Sequence, residues 1–251
     1  MISNAQQKLI QSLTQKKYRK KNKLFLAEGV KIVNEILFSA YKIHSIFGMA
    51  DWLSDNSGKL KNTHIQEIVE VDEKELKKIS NLRTANKVLA VVHMPEQDIN
   101  LNSNLIIMLD SIRDPGNMGT IIRIADWYGI DTIICSEDCA DIYNPKVIQA
   151  SMGSFLRIQH AYENLQEILS SNSDRNSYGA FLEGESVHTC NFQKPAFLLI
   201  GNESSGIDDN LLPFVKQKIS IPKFGEAESL NASVATAIIL DNMRRKLNVE
   251  C

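Results

Sequence analysis

Two five-residue runs, LIIML at Leu105–Leu109 and AFLLI at Ala196–Ile200, are apolar at every position. A strand with one face in water alternates polar and apolar side chains, so a run with no polar position needs cover on both faces. Helices supply that cover in a mainly parallel sheet, because each crossover lays a helix over the strands. The remaining chain keeps the same rhythm, and the expected class is α/β. From the first run onward we read strands at 104–112, 131–136, 156–161, 178–184, 196–202 and 218–222. Between and after them come helices at 117–128, 145–152, 163–170 and 230–247.

The earlier part reads as a smaller α/β domain, with helices at 3–14, 29–40 and 72–80 and strands at 42–48, 64–71 and 87–94. The stretch PEQDINLNSN, opening at Pro95, has no periodic apolar pattern and reads as linker. The expected division is a domain at 1–95, a linker at 96–104 and a domain at 105–251.

A chain of 251 residues that is 43% hydrophobic can bury a sizeable core. It holds no apolar run near the roughly 18–20 residues a membrane helix needs, and no secretory signal pattern. A cytoplasmic location without membrane attachment is expected. Cys135, Cys139, Cys190 and Cys251 form no C-x-x-C pair, which argues against a zinc site or a disulfide framework and leaves them as reduced, structural residues. No metal is expected.

The net charge of −2 conceals an uneven distribution. Residues 1–31 carry eight of the 28 Lys/Arg and, in Glu28, one of the 30 acids, so positive potential concentrates at the front of the chain. Lys16, Lys17, Arg19, Lys20, Lys21 and Lys23 crowd into KKYRKKNK, which suits a phosphate backbone, with Tyr18 as a stacking surface. A solvated basic helix end is the alternative reading.

Open parallel sheets bind ligands beyond the carboxyl ends of their strands, and three loops there carry chemistry. In LDSIRDPGNMGTIIRIA (109–125) Pro115 and Gly116 turn the chain and Asn117 has an N-cap side chain. Arg123, flanked by Ile121, Ile122, Ile124 and Ala125, is either half of a structural salt bridge or faces a site. In FLLIGNESSGI (197–207) the spacing of Gly201 and Gly206 superficially matches a phosphate loop. The Lys and Ser/Thr are missing, however, and Glu203 would repel a phosphate. These features argue against a nucleotide triphosphatase, and the absence of G-x-G-x-x-G weakens a dinucleotide cofactor. The loop is a plain turn or approaches a ligand through its backbone. In KISIPKFGEAESLNASVATAIIL (218–240) Ser229 or Asn231 caps a helix whose small residues suit tight packing, a ligand wall or a dimer interface.

Together these loops resemble the signature motifs of the SpoU family of RNA ribose 2′-O-methyltransferases, within the knotted SPOUT superfamily. The matching segments are N-x-G-x-x-x-R-x-A from Asn117 to Ala125, I-G-x-E-x-x-G-I from Ile200 to Ile207, and I-P through S-L-N-x-S-V-A from Ile221 to Ala235. NPKVIQASMGSFLRI (144–158) and FLAEGVKIVNEIL (25–37) also resemble the family, the latter its substrate-binding domain. One departure is TANKVLAVV (84–92), where relatives tend to carry a Gln-Gly pair.

The resemblance implies an RNA-binding domain followed by a methyltransferase domain with a trefoil knot, acting as a homodimer with S-adenosylmethionine. It implies cofactor contacts from Gly201, Ile221 and Leu230, and a catalytic group of Asn117, Arg123, Glu203, Ser229 and Asn231. Arg123 would serve as base or as fixed cation, with Glu203 orienting Asn117 or Arg123. The implied substrate is structured RNA, ribosomal in preference to transfer RNA. The rival from another class is an RNA-binding dimer without catalysis.

Overall fold

The computed structural model describes residues 2–96 and 99–247. Cys251 and linker positions 97–98 lie outside the described residues. The chain forms two compact units, one of residues 2–96 with 141–156, the other of 99–140 with 157–247.

The first unit is a four-stranded sheet in the order β1-β4-β2-β3. Its strands are β1 (Leu24–Glu28), β2 (Ile43–Gly48), β3 (Ile65–Glu70) and β4 (Val88–His93). β4 runs antiparallel to β1 and β2, while β3 is parallel to β2. The helices are α1 (Asn4–Ser12), α2 (Lys16–Asn22), α3 (Val30–Leu37), α4 (Ala50–Asp55), α5 (Ser57–Asn62) and α6 (Glu73–Ile79). Capping boxes open α1 at Ser3 with Gln6 and α6 at Asp72 with Glu75, giving partners to the N–H groups of those four residues. Ile10, Leu13, Leu24, Leu26, Phe47 and Leu76 form a core with α1 and α6. α3 packs on β1 and β4, burying Ile32, Val33, Ile36 and Leu37.

The second unit is a six-stranded sheet, β10-β8-β9-β5-β6-β7, with every neighbouring pair parallel. It comprises β5 (Leu105–Leu109), β6 (Thr132–Cys135), β7 (Gln159–Tyr162), β8 (Asn176–Ser186), β9 (Ala196–Ile200) and β10 (Gln217–Ser220). β5, β6 and β9 are buried along their whole length, as their uniform apolar character requires. The helices here are α7 (Pro115–Trp127), α9 (Leu165–Ser171) and α10 (Ala232–Lys246); α8 (Pro145–Ser151) belongs to the first unit and packs on β1. α9 closes a core with Ile106, Met108, Ile134, Phe197 and Leu199, and α7 packs on α10.

Several elements differ from the sequence reading. α2 and β1 were not expected, nor were α4, α5 and a 3-10 turn at Asp209–Phe214. The strand expected at 156–161 starts later, because Ser154–Arg157 form a 3-10 turn that buries Phe155. Cys135, Cys139 and Cys190 are buried free thiols.

Candidate functional site

The strand order reverses between β5 and β9: β6 and β7 follow β5 to one side, while β8, β9 and β10 lie on the other. A crevice opens at such a switch point, between the loops leaving the two adjacent strands. Those loops are 110–114 and 201–208, and the loop after β10 runs from Ile221 to Asn231.

α7 begins earlier than expected. Asp114, not Asn117, is its N-cap, with the Asp114 carboxylate accepting from the Asn117 backbone N–H at 2.8 Å and Pro115 in the first turn. The correction matters chemically, because it leaves the Asn117 side chain free of capping work.

The 201–208 loop is pinned from within and from below. Asn202 and Gly206 exchange two backbone hydrogen bonds of 2.9 Å each. The Asn202 side chain accepts from the backbone N–H groups of Ser204 and Ser205 and donates to the Ser111 carbonyl at 2.8 Å. A Cβ on Gly201 would sit 2.2 Å from the Gly206 carbonyl carbon, so only glycine permits this closure. Asp110, 5% exposed, accepts from the Asp208 N–H at 2.7 Å. Burial pushes its pKa above the ordinary carboxylate value, against the opposing pull of that hydrogen bond. Asp110 and Asn202 were not among the expected site residues; the available signal was a carboxylate ending a strand that is otherwise wholly apolar.

Asn231, rather than Ser229, caps α10: its Oδ1 accepts from the N–H groups of Ser233 and Val234 and from the Ser233 hydroxyl. Its Nδ2 donates to Asn117 Oδ1 at 2.8 Å, and Asn117 Nδ2 donates in turn to Glu203 Oε1. One side chain from the first turn of α7 and one from each of the two later loops thus enter a single hydrogen-bond chain. With Asn117 giving and receiving, both ends of its amide are committed and its plane is fixed. Glu203 orients Asn117, not Arg123.

Arg123 lies about 9 Å further along α7. The buried face of that helix is Met118, Gly119, Ile121, Ile122 and Ala125, and Arg123 is on the exposed side, so its apolar neighbours flank it in sequence only. It makes no ion pair or hydrogen bond among the described residues, which removes the structural salt-bridge reading. Ser229 and Leu230 sit on the exposed loop after β10, outside the hydrogen-bond chain, and Ile221 is half-buried at its start. Among the described residues no group of three or more His, Cys, Asp or Glu is placed to hold a metal ion, and no helix is long and apolar enough to cross a membrane.

The profile of the SpoU rRNA Methylase family matches residues 104–241, more than half of the chain. The chain belongs to the SpoU rRNA methylase family. A second profile, the MRM3-like substrate binding domain, matches residues 4–90 of this SpoU protein. The 23S rRNA (guanosine(2553)-2′-O)-methyltransferase RlmP of Bacillus subtilis is 31% identical over 232 residues, covering 91% of this chain and 92% of its own. Among solved structures, a TrmH-family protein from Porphyromonas gingivalis is 36% identical at a TM-score of 0.87, covering 98% of this chain and 99% of its own. The AdoMet-bound rRNA methyltransferase of Sinorhizobium meliloti is 29% identical at a TM-score of 0.83, covering 98% and 97%.

Two features of the SpoU chain bear on whether its loops suit S-adenosylmethionine. Residues 223–230 are exposed and make no hydrogen bond among the described residues, so their backbone donors and acceptors are open to a ligand. The same loop offers apolar surface in Leu230, 46% exposed, and Phe224, 97% exposed. Apolar walls with a few backbone polar groups are what a nucleoside-sized ligand uses. The donor set fits the cofactor.

In the first unit the basic run needs one correction. Lys16, Lys17, Lys20, Lys21 and Lys23 are exposed, but Arg19 is 1% exposed. Its guanidinium donates to Asp141 Oδ2 at 2.5 and 3.0 Å and to the carbonyls of Leu13 and Thr14. A buried, fully engaged arginine holds the fold and is not available to RNA.

Proposed function

We propose that this protein transfers a methyl group from S-adenosylmethionine to a ribose 2′-hydroxyl of ribosomal RNA. The observation that carries the reading is the Glu203–Asn117–Asn231 hydrogen-bond chain at the sheet's switch point, with the cation of Arg123 left unpaired on the same helix. The names of the B. subtilis and S. meliloti relatives support ribosomal RNA as substrate.

When bound, S-adenosylmethionine supplies an activated methyl on a sulfonium. The backbone around Gly201, Ile221 and Leu230 would hold it, and Asn117, with its plane fixed at both ends, positions the ribose. We assign Arg123, the exposed cation of α7, to the attacking oxygen. There it serves either as a fixed cation that stabilises the developing alkoxide or as the base that takes the hydroxyl proton. Ser229 steadies the loop and substrate. Exposed Lys16, Lys17, Lys20, Lys21 and Lys23 recruit RNA through its phosphates. The same reading includes a trefoil knot in the 105–251 domain, a cytoplasmic location beside its substrate, and a homodimer through α7 and α10. Trp127 is 84% exposed on α7 and Val234 46% exposed on α10, apolar surface that a second copy would cover.

Mapping ribose methylation in total RNA from cells with and without the protein tests the activity. Loss of one ribosomal 2′-O-methyl group is expected. Loss confined to transfer RNA would reassign the substrate, and an unchanged map would leave an RNA-binding dimer without catalysis.

A further inference from the structure

The chain has five histidines, and three of them, His44, His64 and His93, belong to the small unit. A cavity of about 620 Å³ opens where β2 and β3 begin and β4 ends, lined by Tyr41, Lys42, His64, Gln66, His93 and Glu96 among others. His44 adjoins it, its ring 5.8 Å from that of His93 at a 54° tilt. Gln66 Nε2 is 3.5 Å from His93 Nε2. Lys42, His64 and Gln66 are exposed, so core packing does not account for them.

The volume falls in the range of small-ligand sites. Ring faces, a cation and an amide together are what a single unpaired nucleotide requires: a platform for the base, a charge for the phosphate and a donor or acceptor for the base edge. An acidic peptide would use the cations but not the rings, and a lipid chain would need apolar walls. Resting on the RNA-methylating reading above, we infer that this cavity receives one unpaired nucleotide of the RNA substrate, its base on the Tyr41, His64 and His93 rings and its phosphate at Lys42.

The site has a pH signature. Burial, followed by the nearby His44, Lys42 and His64, holds the pKa of His93 below the ordinary imidazole value. Among the described residues Glu96 is the one carboxylate in the lining. A phosphate bound beside His93 offsets that downward push, so binding takes up a proton there and tightens as pH falls below about 6.5.

The test uses the full chain and a variant carrying Lys42→Gln and His64→Ala, both at exposed positions where the fold is not at stake. The probe is a mixed-sequence, single-stranded oligoribonucleotide of about twelve residues, followed by fluorescence anisotropy. The variant should bind roughly 10-fold more weakly, with a salt slope shallower by about one and a flatter pH dependence. Its melting temperature and S-adenosylmethionine affinity should be unchanged. Ultraviolet crosslinking of the unaltered protein should leave a nucleotide on a peptide containing Tyr41 or His93. Unchanged affinity in the variant overturns the inference. So does equal competition by nucleoside monophosphates, which would make this a small-molecule site. If the oligonucleotide results hold but ribosomal RNA is not methylated, the cavity stands and the proposed activity falls.

Discussion

Asn231 does two jobs with the two ends of one amide, capping α10 through Oδ1 and holding Asn117 through Nδ2. The jobs separate by substitution. Asn231→Ala should lose the cap, about 1 kcal/mol of stability, together with turnover. Asn231→Asp keeps the cap acceptor but puts an acceptor where Asn117 needs a donor, so thermal melts should hold while kcat falls roughly 10-fold or more. Full turnover in Asn231→Asp alongside loss in Asn231→Ala would mean the asparagine matters to the helix alone. Arg123→Ala should lower kcat by roughly 10²–10⁴-fold with cofactor affinity little changed, the range for an electrostatic group acting on the transition state. Arg123→Lys tests its role: rescue that is independent of pH fits the fixed cation, and rescue that grows with pH identifies a base. Asn117, Glu203 and Asn231 could be picked out in the sequence, but the hydrogen bonds that join them could not. Asp114 and Asn117 both have capping side chains, and only the placement of Pro115 inside the helix settles which one caps.

β1 shows why some elements escape sequence reading. Its partner in the ladder is β4, with Leu24 opposite His93 and Glu28 opposite Leu89, so its place depends on residues far along the chain. Runs that declare themselves locally, such as β5 and β9, were legible; β1, lodged between a basic helix and α3, was not. α2 was read as charge rather than as structure for a similar reason. Arg19 looks like its lysine neighbours until Asp141 is placed beside it. The five exposed lysines of this stretch should act differently from Arg19. Replacing Lys16, Lys17, Lys20 and Lys21 by Gln should weaken RNA binding and flatten its salt dependence without unfolding. Arg19→Ala should cost about 3–5 kcal/mol, because it strands a largely buried carboxylate; a chemical melt distinguishes the two. The turn after β6 has its own acid signature. Burial alone would raise the Asp138 pKa, but hydrogen bonds from Ser136, Arg113 and Ser111 hold it at about 2, below the ordinary 3.8. Its contribution is therefore present above about pH 4 and fades as pH falls through about 2. Asp138→Asn should flatten that part of the acid-stability curve, and an unchanged curve would show that the turn carries no such linkage.

At the scale of the whole molecule, sedimentation at micromolar concentration should give about twice the monomer mass of 28.2 kDa. Trp127→Glu on α7 should shift it toward the monomer, since a charge would then sit in the covered surface. A clean monomer that still methylates RNA would sink the dimer. The α/β class and the parallel sheet followed from buried runs and helical spacing, but the reversal of strand order between β5 and β9 did not, because spacing along a chain says nothing of which strands become neighbours. The unit containing α2 and β1 also claims residues 141–156 from the middle of the chain. There Asp141 pairs with Arg19, and Phe25 meets Tyr143 at a tilt and Phe155 edge to face, at centroid distances of 4.7 and 5.8 Å. A gene cut after residue 96 would therefore sever this unit from part of its own interior. Joining residues 1–96 of one relative to the remainder of another should lower the melting temperature unless residues 141–156 are exchanged with them.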